Sequence, residues 1–119
     1  MRSKKSPQYT ALKVIDHRSI VVEKTFDSST SYAQFIETFP GSDCRYYLVD
    51  FRYSTSAGEP QTRLTLIEWS PETALTKSRA EYASVRDLIR KELPGIQFVL
   101  QARDKDDVSY ENVSEQVQK

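Results

Sequence analysis

The sequence predicts an α/β protein of the α+β type: a five-stranded mixed sheet with helices on both faces. Three observations predict it. Segment 44–54 carries apolar residues on both of its alternating faces, as a strand covered on both sides requires. Segment 76–93 has no Gly or Pro and repeats apolar residues at helical spacing. That helix lies between two strand-like segments, a βαβ arrangement whose strands are parallel and whose crossover is right-handed.

Taken in order, Gln8 to Ile15 places Tyr9, Ala11 and Ile15 on one face, with Leu12 and Val14 within or opposite it. A polar break at Asp16-His17-Arg18 separates it from Ser19 to Thr25, where Ile20, Val21 and Val22 form a β-branched run. The two read as a hairpin. Residues 27–31 are loop and capping material. Tyr32, Phe35, Ile36 and Phe39 then fall at i, i+3, i+4 and i+7, one face of a short helix that Pro40-Gly41 ends. In the central strand Tyr47, Val49, Phe51 and Tyr53 share one face, and Tyr46 and Leu48 the other. A loop with Gly58 and Pro60 leads to a strand from Arg63 to Trp69. The helix from Thr76 to Leu93 follows, with Tyr82, Val85, Ile89 and Leu93 inward; it is predicted as one rod of about 18 residues, roughly 27 Å long. Pro94-Gly95 stops it, Ile96 to Leu100 is the last strand, and Ser109 caps a C-terminal helix carrying Tyr110, Val113 and Val117.

The chain has 119 residues, which fits one domain over 1–119. With 17 basic and 17 acidic residues the net charge is zero, which argues against a general nucleic-acid binder. No apolar run approaches the roughly 20 residues of a membrane-spanning helix, and no signal peptide is read. Charge is uneven: residues 1–18 are basic, 19–76 acidic, 77–91 basic and 92–119 acidic. The basic segments could steer the molecule to an acidic partner or form an ordinary solvated surface.

Catalytic groupings are not found. His17 sits in a hairpin turn, and Cys44 starts a strand as a small buried residue. Asp104, Asp106 and Asp107 lack the glycine and terminal glutamate of an EF-hand loop. Three glycines, Gly41, Gly58 and Gly95, make no phosphate loop. No enzyme activity, cofactor or metal is expected, and a cytoplasmic binding module remains.

Four segments resemble the ADF/cofilin family. They are Ile20-Val21-Val22-Glu23-Lys24-Thr25; Asp43-Cys44-Arg45-Tyr46 with Tyr47-Leu48-Val49-Asp50-Phe51; Trp69-Ser70-Pro71-Glu72-Thr73-Ala74 with Lys77-Ser78-Arg79 and Tyr82-Ala83-Ser84; and Val108-Ser109-Tyr110-Glu111 with Val113 and Glu115. They occur in the family's order from about residue 8 onward. The resemblance implies the ADF-homology, gelsolin-like fold and a monomeric, cytoskeleton-associated protein, with the nucleus open as a second location. It implies binding of actin monomers and filaments, severing and depolymerisation. The implied long-helix site is Lys77, Arg79, Ala80, Ser84, Arg86 and Asp87. Filament-side candidates are Arg63, Glu115 and Lys119, and phosphoinositide candidates are Lys4, Lys5, Lys77 and Arg79. Alternative readings are a glia-maturation-factor-like binder of an actin-nucleating complex and a phosphoinositide-binding surface module.

Three departures from the family pattern carry expectations. The family has one more helix before the first strand, with a phosphorylatable serine that is not carried over to Ser3. Its absence ahead of Met1 predicts a bare apolar patch on one sheet face and reduced activity. Ala80-Glu81 stands where the family often has Met-Ile. Gln116 and Gln118 replace basic residues, leaving Lys119 alone at the C-terminus.

Overall fold

The computed structural model describes residues 8–16, 19–27 and 29–118. The expectations for Lys4, Lys5, His17 and Lys119 lie outside these residues. Strand β1 (Tyr9–Ile15) and strand β2 (Ser19–Phe26) form an antiparallel hairpin, with a bulge between Ala11 and Leu12. Asp16 takes φ +51° at the turn, a left-handed conformation that Asp tolerates better than most side chains. Tyr9, Ala11 and Phe26 join one core, and Leu12 and Val14 the other. Ile15, expected beside Tyr9 and Ala11, is exposed because it ends the strand at the turn.

Helix α1 (Tyr32–Glu37) begins at a capping box: the Gln34 amide donates to Ser31 Oγ at 3.1 Å, and the Ser31 amide to Gln34 Oε1 at 2.9 Å. Its Phe35 is fully buried. Strands β3 (Arg45–Ser54) and β4 (Pro60–Trp69) pair antiparallel over their full length. β4 starts three residues before the expected Arg63, because pairing with β3 recruits polar residues that alternation alone does not mark. Strand β5 (Phe98–Ala102) runs parallel to β4, and the sheet order is β2-β1-β3-β4-β5. β5 lies two residues later than Ile96–Leu100. Gln97 ends the approach, its amide donating to the Leu64 carbonyl at 2.8 Å while its side-chain oxygen accepts from the Leu64 amide at 2.9 Å.

The predicted single rod is broken. Helix α2 (Thr76–Ser84) and helix α3 (Arg86–Glu92) meet at Val85, whose φ and ψ are −100° and 5°. Three partners take up groups that the break releases. The Tyr46 hydroxyl donates to the Tyr82 carbonyl, Ser84 Oγ donates to the Glu81 carbonyl at 2.7 Å, and the Val85 amide turns to the Tyr82 carbonyl at 3.4 Å. Helical spacing still holds for burial, since Tyr82, Val85 and Ile89 all face the sheet. Helix α4 (Tyr110–Val117) follows with Ser109 as its cap.

The sheet therefore has two cores. Phe35 from α1, Phe39 just after it, and Val113 and Val117 from α4 pack on Tyr9, Tyr47, Val49 and Ile67. Tyr82, Val85 and Ile89 from α2 and α3 pack on Leu12, Val14, Tyr46 and Leu66. Arg45, nearly buried on β3, reaches Glu23 on the edge strand at 2.9 Å and Asp43 at 2.7 Å. Burial opposes its charge, but hydrogen bonds to Glu23 and Asp43 outweigh that and raise its pKa.

Cys44 is fully buried, with Sγ 3.7 Å from Ser70 Oγ. Burial pushes the thiol pKa up, against a smaller opposing effect of the Ser70 contact. A thiol reagent should label native Cys44 at least about 100-fold more slowly than a free thiol, since reaction requires local opening. Labelling at the free-thiol rate in the folded protein would show that this corner is open.

Candidate functional site

The candidates on the helical run occupy one outer surface. α2 starts without a side-chain cap, since Leu75 holds the N-cap position, and its first turn has no acidic residue. The free amides of that turn add positive character to the end of the helix. Lys77 is exposed beside them. Arg79 is half-buried, its Nε donating to Ser70 Oγ at 3.3 Å. Ser70 thus links Arg79 to Cys44 and fixes the guanidinium against the end of the sheet. Ala80 is exposed, as is Ser84, whose hydroxyl is engaged with the Glu81 carbonyl. Asp87 lies exposed in the first turn of α3, where a carboxylate favours the helix dipole.

Arg86, which the resemblance places among the polar contacts of the long helix, also has an inward partner. Its Nε stands 2.9 Å from Oε2 of Glu68, a buried carboxylate on β4. The charge of Glu68 was hidden in the apolar run from Leu64 to Trp69, and a charged residue in a strand buried on both faces was the signal for an inward partner.

Leu75 is the second residue that pattern reading missed. It is 74% exposed, the most exposed of the large hydrophobic residues among those described. Seven residues before Tyr82, it fits the inward spacing of Tyr82, Val85 and Ile89, but its extended N-cap backbone (φ −61°, ψ 140°) takes it off that face, so the helical period offered no clue. A leucine held in water beside two cations supplies apolar contact area in an otherwise polar surface.

The filament-side candidates form a separate group. Arg63 Nε donates to the Tyr53 hydroxyl at 3.1 Å, on the sheet face that α4 covers, and Glu115 is exposed on α4. They lie across the sheet from α2 and α3. On the α3 side, a groove of about 440 Å³ runs between the β1–β2 hairpin and α3, lined by Leu12, Ile20, Val22, Leu88, Ile89 and Leu93. Val22 at its rim is 59% exposed. Ser19 and Glu92 also line it, so its wall is mixed apolar and polar. Among the described residues, no group of three or more His, Cys, Asp or Glu side chains is placed to hold a metal.

This architecture has known counterparts. The family model of cofilin/tropomyosin-type actin-binding proteins matches residues 1–118. The chain belongs to that family. Actin-depolymerizing factor 4 of Oryza sativa subsp. japonica is 37% identical over 100 residues, covering 84% of this chain and 72% of the relative. Cofilin of Yarrowia lipolytica is 36% identical over 114 residues, covering 95% of this chain and 74% of the relative. The crystal structure of Streptomyces griseoflavus cofilin superimposes with a TM-score of 0.84 at 32% identity, covering 95% of this chain and 83% of the other. This ADF/cofilin-type chain is thus an actin-binding protein with the family's mixed sheet and flanking helices.

Proposed function

We propose that this protein binds actin monomers and filaments through the outer face of α2 and α3, and promotes filament severing and depolymerisation. One observation carries the choice of face. An uncapped helix start presents exposed Leu75 beside Lys77 and the anchored Arg79. Apolar anchors flanked by held cations suit an apolar cleft edged by carboxylates. Lys77 and Arg79 would meet acidic groups, Leu75 and Ala80 would enter the cleft, and Ser84 and Asp87 would make polar contacts further along. Arg63 and Glu115 would serve a second actin subunit in the filament.

The double variant Lys77→Ala with Arg79→Ala tests this. It should weaken actin binding by about 2–4 kcal/mol. Arg79 also gives up its Ser70 bond, so a stability loss of about 1 kcal/mol should accompany it. Unchanged co-sedimentation and monomer binding would exclude this face. Phosphoinositide headgroups would compete for the same two cations, so vesicles containing them should displace wild-type protein from actin.

Ala80→Met is the complementary gain. Ala80 is exposed on α2, so the larger side chain adds contact area in the complex without crowding the core. Actin affinity should rise by about 1–2 kcal/mol with the melting temperature nearly constant. A large fall in melting temperature would mean that position 80 points inward.

A further inference from the structure

Glu68 is 6% exposed and sits directly across from Tyr46 in the β3–β4 ladder. Neither of its carboxylate oxygens has a well-formed hydrogen bond among the described residues, although both are buried. A buried carboxylate needs a counter-charge. Arg86 supplies it through Nε at 2.9 Å, and Arg90 approaches the same oxygen at 4.0 Å. The Arg86 Nε is itself buried, yet 36% of the side chain remains exposed. Arg86 thus faces two ways, held from below and open above. Arg79 and Arg86 line the same small hollow of about 40 Å³, with Glu68 and Ser70 also in its wall. Arg79 Nε donates a hydrogen bond to Ser70 Oγ, whereas Arg86 Nε is held by the charge of Glu68 at 2.9 Å without a well-formed hydrogen bond.

We propose that Glu68 is a positioning residue for actin binding: its buried charge holds Arg86 through an ion pair at Nε, so that Arg79 and Arg86 stand as a fixed pair of cations along the flank of α2 and α3. This rests on the docking face proposed above. An arginine already held loses less side-chain freedom when a partner carboxylate arrives. Only arginine can serve both sides, because its planar fork offers Nε to one group and its terminal nitrogens to another. The position of Arg86 immediately after the Val85 break extends the argument. Glu68 pins the first residue of α3, while Tyr46 holds the Tyr82 carbonyl on the last turn of α2.

The test measures actin monomer binding and co-sedimentation, with thermal melting alongside, for Glu68→Gln, Arg86→Lys, Arg86→Ala and the Glu68→Gln/Arg86→Ala double variant. Glu68→Gln and Arg86→Lys should each raise Kd about five- to tenfold. The double variant should bind no more weakly than Arg86→Ala alone, because the carboxylate acts only through the arginine. Additive losses would overturn the proposal, as would a Glu68→Gln protein that melts earlier but binds actin with the wild-type Kd. Should Glu68→Gln fail to fold, Arg86→Lys decides, since it keeps a cation opposite Glu68 and removes the fork; wild-type binding by it would overturn the proposal. Lys77→Ala measured in parallel separates two failures. If Lys77→Ala weakens binding while Glu68→Gln and Arg86→Lys do not, the positioning role alone falls. If none of them changes Kd, the docking face falls with it.

Discussion

Phe35→Ala should remove about 3–5 kcal/mol of folding stability, the largest loss expected from any single truncation in this chain. Phe35 is fully buried and is the hub of the aromatic layer between α1 and the sheet. Its ring stacks on Tyr9 at 4.3 Å and meets Phe39 edge-on at 5.0 Å. Phe26 and Tyr47 each lie 5.4 Å away, also edge-on. Offset and edge-to-face contacts of this kind add to the stabilisation that area burial provides. Truncation leaves a cavity beneath a helix of six residues, too short to persist without its anchor. If total stability is near 5 kcal/mol, the lower end of the usual range, a loss of about this size unfolds a substantial fraction of the protein. Urea denaturation of Phe35→Ala beside Glu37→Ala, an exposed change on the same helix, measures it. A loss below about 1 kcal/mol would mean that α1 contributes little to the core.

That layer was legible because Tyr32, Phe35, Ile36 and Phe39 repeat at helical spacing while Tyr47, Val49 and Phe51 alternate. Two periods pointed to a helix on a strand before any coordinates did. The break at Val85 was not legible. It leaves the inward spacing of Tyr82, Val85 and Ile89 intact, and the carbonyl it releases is taken up by the Tyr46 hydroxyl, 36 residues away in sequence. Strand ends escaped for a related reason. Pro60, Gln61 and Thr62 join β4 through pairing with Ser54, Tyr53 and Arg52, a tertiary effect without a local pattern. The candidate surface divides the same way. Lys77, Arg79 and Ala80 come forward through the family resemblance, whereas the inward turn of Arg86 depends on a carboxylate on β4. Leu75 required knowing which side of the helix start was already filled.

A helix joined ahead of Met1 from a longer family member should stabilise the protein by about 2–3 kcal/mol and raise its melting temperature by on the order of 10 °C. The expectation comes from unequal cover on the two faces of the sheet. Two separate helices, α1 and α4, cover one face, whereas the single α2–α3 run covers the other. A helix is about 10 Å wide and strands are about 4.8 Å apart, so one run shields little more than two strands. Among the described residues the β2 edge of the hairpin is covered least, and the groove lined by Leu12, Ile20, Val22 and Leu88 lies there. The added helix would bury its own apolar face as well as the groove wall, and burial at about 25 cal/mol per Å² has to exceed the cost of ordering the added segment. The added helix lies against α3, so it should also steady the actin-facing surface and raise severing activity. Val22→Asp within the extended protein should abolish the gain, because it places a charge under the new helix. If melting temperature and severing both stay unchanged on extension, another segment already shields the hairpin.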